Sequence, residues 1–142
     1  MRLFVPYRRA TLLMPSGPAN DPERKHLFIV LTDPVIVTGY PVRHSLLVGI
    51  STVQTGMPHD PACLLHAGDH PFIRHRSYVN YRFAKILASQ SLVNGVRTGV
   101  LVPKELLDGA IFARVCRGLL DSRFSAPRIV GFYNAARAAT GG

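Results

Sequence analysis

The chain has 142 residues, 47% of them hydrophobic and 18% charged, which suits one domain with a buried core and excludes disorder of the whole chain. Seventeen Lys and Arg against eight Asp and Glu give a formal net charge of +9, a balance that either sits solvated on the surface or attracts a polyanion. No apolar run reaches the roughly 18 residues that span a bilayer, and Met1–Arg9 lacks the pattern of a secretory leader, so the expectation is a cytoplasmic protein with no membrane part.

Residues 1–10 are weakly patterned and read as an arm. Thr11-Leu12-Leu13-Met14 suits a short strand, and the Pro, Gly and Asn residues from Pro15 to Pro22 suit a loop. His26 to Thr32 is apolar without alternation, which predicts a strand covered on both faces and stopped by Asp33-Pro34. Val35 to Thr38 extends it or begins the next strand, with Gly39-Tyr40-Pro41 as a turn. Ser45 to Val53 is another strand, Gly56 to Pro61 a loop, and Ala62 to Leu65 a short strand. Ser77 to Ile86 places Tyr78, Asn80 and Arg82 on one parity and Val79, Tyr81 and Phe83 on the other, a period of two. Asn94-Gly95 signals a hairpin between strands over 86–93 and 96–102. After Pro103 the period changes: Leu107, Ile111, Val115 and Leu119 make an i, i+4 row, which predicts an amphipathic helix to Leu120. Residues 124–142 read as an irregular tail. Strands followed by one helix argue a single α+β domain over 1–142, mainly β, a small bent sheet or barrel with a C-terminal helix.

Cys63 and Cys116 lie far apart and outside any CxxC pair, so neither a disulfide framework nor a zinc site is indicated. GxxxxGK[ST], GxSxG and HExxH are absent from the sequence, and no cofactor is expected. The densest chemistry lies in Gly68 to Tyr81. No acid occurs between Asp69 and Glu105, while Arg74, Arg76, Arg82 and Lys85 fall in that interval. Asp69, His70, Arg74, His75 and Ser77 supply the groups that cleave a phosphodiester without a metal. Histidine moves protons near neutral pH, and arginine presents a fork to phosphate. The competing reading of the same residues is a polar turn in which Asp69 caps backbone amides and the cations face water. Tyr78 and Tyr81, beside Arg76 and Arg82, suit base stacking, or else the surface and core of a strand. A metal site from His66, Asp69, His70 and His75 is the alternative, giving a metal-dependent hydrolase, though the spacing fits no zinc signature.

The order of strands and the helix from Pro103 to Leu120 resemble the SH3-like barrels of the PemK/MazF toxin superfamily. The likeness rests on His26 to Thr32, Ser45 to Thr52, and Leu64 to Ile86 with Ser77-Tyr78-Val79 after a basic turn. Gly68 to Tyr81 also resembles small bacterial and phage-associated proteins. The resemblance implies metal-independent cleavage of single-stranded RNA, homodimers and neutralisation by an acidic antitoxin. On this reading His70 or His75 is acid or base, Asp69 orients a histidine, and Arg74 and Arg82 hold phosphate. Arg43 and either Arg82 or Lys85 are the available loop and strand cations. The alternative from another class is a non-catalytic interaction or phage-accessory module of the same fold.

Overall fold

The computed structural model describes residues 3–17, 19–21 and 23–141. They form an α+β protein, mainly β, in which a curled antiparallel half-barrel sheet carries three helices. The elements in chain order are β1 (Thr11–Pro15), β2 (Lys25–Val30), β3 (Val35–Val37), β4 (Tyr40–Thr52), β5 (Leu64–Leu65), β6 (Ser77–Ala88), α1 (Ser89–Thr98), β7 (Val102–Lys104), α2 (Gly109–Asp121) and α3 (Pro127–Thr140). The sheet runs β5-β6-β4-β2-β1-β7, with β3 paired to β4 off that path.

The unbroken apolar run of β2 is explained by burial on both faces. Leu27, Ile29 and Leu31 join one core with Leu46, Val48 and Ile50 of β4, and there α2 and α3 contribute Val115, Leu119, Ile129 and Phe132. Phe28 and Val30 join a second core on the other face with Leu12, Leu47 and Leu92 of α1. An alternating strand would have left one of these faces polar.

The register of β4 against β6 shifts between Leu47 and Gly49, where β6 carries extra residues. Such a bulge bends the strand and breaks its in–out alternation. Ser77, Val79 and Tyr81 therefore point inward and Tyr78, Asn80 and Arg82 outward, but the next inward residue is Ala84, leaving Phe83 exposed.

Four expectations are corrected. Asn94-Gly95 is not a hairpin turn but lies in α1. A Cβ on Gly95 would lie 2.6 Å from the Leu101 side chain, so the glycine permits a close approach instead of making a turn. Pro103 does not open a helix; it pairs with Leu12 in β7, and α2 begins only after Asp108, whose carboxylate caps Ala110 N–H at 3.0 Å and Ile111 N–H at 3.2 Å. The stretch after residue 124 is not an irregular tail. Pro127 sits in the first turn of α3, which buries Ile129, Phe132, Tyr133 and Ala136, an i, i+3, i+4, i+7 stripe. The segment before β1 is not a loose arm from Pro6 onward, because Pro6 and Ala10 are buried and Arg9 N–H donates to Val30 O at 3.0 Å.

Candidate nucleic-acid interface

The dense stretch Gly68–Tyr81 divides into a structural turn and an exposed rim. In the turn, Asp69 Oδ2 accepts the His66 N–H at 2.8 Å, and Gly68, with φ of 93°, donates its N–H to Ile73 O at 2.9 Å. Asp69 is thus a cap of its own turn. His70 is 2% exposed, and both its ring nitrogens are engaged. Nδ1 accepts the Phe72 N–H at 3.0 Å, which fixes the proton of the neutral ring on Nε2, and Nε2–H donates to Glu105 O at 2.7 Å. Thr11 Oγ1 donates to the same carbonyl at 2.7 Å and lies 3.2 Å from Nε2. This histidine ties the turn to β1 and to the residue after β7; it has no free nitrogen for a substrate.

The rim is different. Arg74, His75 and Arg76 are exposed, and Ser77 donates its hydroxyl to His75 O at 2.8 Å at the start of β6. Arg74, His75, Ser77 and Tyr78 line a cleft of about 640 Å³ whose other wall is Arg24, Lys25 and His26 at the start of β2 and the loop after β4. A second cleft, of about 890 Å³, is lined by Tyr78, Asn80 and Arg82 of β6 together with Asp60, Phe83, Ser122, Arg123 and Phe124. The two share Pro58, His59 and Tyr78. The two adjoin at the His59–Tyr78 ring pair, with centroids 5.5 Å apart, and are taken together as one groove.

Cations run along this groove. Arg24, Lys25 and Arg74 line the first cleft, and Arg82 and Arg123 the second. Arg82 and Arg123 both lie over the Phe124 ring, at 4.5 Å and 4.8 Å from its centroid. Their guanidinium planes are thereby held in place while their charge stays available. Apolar surface is interleaved: Phe72 and Phe83 are exposed and line the first and second cleft respectively. In the second cleft His59 Nδ1 is buried without a hydrogen-bond partner. In the first, burial and then the Arg24 charge hold the His26 imidazole below its ordinary pKa, and Ser16 Oγ lies 2.7 Å from its Nδ1.

Of the residues expected from the sequence, the groove gathers Arg74, His75, Ser77, Tyr78 and Arg82. Asp69 and His70 belong to the turn. Tyr81 is corrected from a stacking residue to a core residue: it is fully buried and donates its hydroxyl to Val115 O at 2.6 Å. Arg43 lies at the opposite end of β4 from the groove, Arg76 is exposed beside it, and Lys85 lies beyond the β6 bulge. Sequence reasoning missed His26, His59, Asp60, Arg123 and Phe124. His59-Asp60 had the signal of a polar pair inside a Pro-rich loop, and Arg123-Phe124 that of a basic–aromatic pair just past a helix.

Burial raises the pKa of both thiols, Cys63 and Cys116, so neither is an activated nucleophile. Among the described residues no group of three or more His, Cys, Asp or Glu is placed to hold a metal ion, and no helix is long and apolar enough to cross a membrane. The chain matches no protein-family model, and no curated protein or solved structure matches it.

Proposed function

We propose that this protein binds single-stranded RNA along the groove that passes from Arg24 to Phe124. The observation that carries the reading is that the two clefts adjoin at His59 and Tyr78, with cations along both and π faces between them. Single-strand binding needs that combination: phosphates follow the cations, and unstacked bases settle on aromatic rings or guanidinium planes. A duplex keeps its bases stacked and has no use for rings recessed in a cleft. The curled sheet is read as a variant of the SH3-like barrel, and the likeness to the PemK/MazF superfamily favours RNA over DNA.

Strand cleavage is the second reading, favoured by His26, His59 and His75 lining the first cleft with Arg24 and Arg74. There an imidazole would take the proton of the 2′-hydroxyl and a guanidinium would hold the phosphate. A single experiment addresses both. A labelled oligoribonucleotide of about ten residues is titrated by anisotropy and then run on a denaturing gel with EDTA present. Binding weakened by Arg74→Ala and Arg82→Ala supports the groove; cleavage lost in His75→Ala adds the chemistry. Affinity unchanged in both arginine variants would end the proposal.

A further inference from the structure

Asp60 lines the second cleft beside Arg82 and Arg123, yet it is 7% exposed and in ion pair with neither. Neutral donors hold it instead. Oδ1 accepts the Ala62 N–H at 2.9 Å, and Oδ2 accepts the Ser122 hydroxyl at 2.5 Å. Ser122 Oγ in turn accepts the Phe124 N–H at 3.0 Å, so the aspartate fixes both the carboxylate and the aromatic part of the cleft. A carboxylate offers about four acceptor positions, and these bonds occupy half of them.

A carboxylate in this place is wrong for phosphate, which it repels. It suits a neutral group with two adjacent N–H donors. Among the RNA bases only guanine presents that edge, N1–H next to the N2 amine. Adenine and cytosine set one amine beside an acceptor, and uracil has one N–H between carbonyls. The cleft also supplies π surfaces for the ring, in Tyr78 and in the guanidinium planes over Phe124.

Resting on the groove as a single-strand site, we infer that this cleft is a guanine subsite, with guanine N1–H and N2–H donating to the Asp60 carboxylate. The base is extruded from the strand and stacks on Tyr78 or on a guanidinium plane, while its phosphates stay with Arg74 and Arg82. Selection comes from the carboxylate and affinity from the cations.

The test compares wild-type binding of an oligouridine strand carrying one central guanosine with strands carrying adenosine or inosine there. Inosine lacks only the N2 amine. The guanosine strand binds at least about tenfold more tightly than the adenosine strand, with inosine between them. Asp60→Asn, shown folded by circular dichroism, binds the guanosine and adenosine strands alike. Equal wild-type affinity for all the strands would overturn the guanine assignment and leave the groove standing. Absence of binding to any strand would overturn the groove reading and the assignment with it. The wild-type comparison decides the matter even where the variant does not fold.

Discussion

Replacing His70 with alanine tests whether this histidine is a structural tie. The ring makes one donated bond, Nε2–H to Glu105 O at 2.7 Å, and one accepted bond, from Phe72 N–H at 3.0 Å. The donated bond contributes about 1 kcal/mol net, and Thr11 continues to satisfy the Glu105 carbonyl when the ring is gone. Loss of the acceptor is worse, because a part-buried N–H without a partner costs about 1–2 kcal/mol. The ring is almost fully buried, and the void it leaves adds about 1 kcal/mol. The sum is a destabilisation of about 3–4 kcal/mol, read as a lower urea midpoint at unchanged slope. Two partial replacements separate the contributions. Asparagine reaches the Nδ1 position and keeps the Phe72 bond, whereas glutamine reaches the Nε2 position and keeps the Glu105 bond. Each recovers about half of the loss, asparagine the more. A variant His70→Ala within about 0.5 kcal/mol of wild type would refute this account of the turn and return His70 to the list of groups free for chemistry.

Gly118→Ala places a methyl 2.2 Å from the Tyr81 hydroxyl and 3.0 Å from Cys63 Cβ, and it lowers stability by about 1–3 kcal/mol in thermal or urea unfolding. In a Tyr81→Phe background the same substitution costs less, since the hydroxyl it meets is gone; equal costs in both backgrounds would contradict the packing described. His26 gives stability a pH dependence. The unfolded ring takes a proton at its ordinary pKa of 6.5 and the folded ring only at lower pH, so the unfolded state binds more protons between the two values. Stability is therefore complete above 6.5, falls as pH drops below it, and stops falling once the folded ring is protonated. His26→Gln flattens that slope in urea titrations, and a variant with the wild-type slope would assign it elsewhere. Asp108→Ala removes the cap of α2 and costs about 1 kcal/mol, measured the same way.

The sequence made the sheet readable where burial is symmetric. Leu27–Leu31 and Leu46–Ile50 are apolar with only Gly49 between because each stretch is packed on both sides. The strand β2 was located to within two residues, whereas β4 begins at Tyr40, five residues before the expected start and inside the stretch expected as a turn. It misled where a local signal served a tertiary purpose. Asn94-Gly95 has turn chemistry, but Gly95 is small to admit Leu101. The stripe Ile129, Phe132, Tyr133, Ala136 was present in the sequence, diluted by small residues and Gly131. In the groove, Arg74, His75, Tyr78 and Arg82 were legible from charge and strand parity. His59, Asp60 and Phe124 were not, because the Asp60–Ser122 bond joins residues 62 apart and no local pattern records such a contact. His70 shows the opposite error: residue type suggested chemistry, and only its three-dimensional partners reveal a tie between elements.

The most direct measurement is photocrosslinking of a single-stranded RNA containing 4-thiouridine, followed by mass-spectrometric mapping of the adducts. The groove account predicts adducts concentrated at Phe72, Tyr78, Phe83 and Phe124, the aromatic residues lining the two clefts. Adducts gathered instead around Arg43 and the β3–β4 hairpin, or on α3, would contradict it.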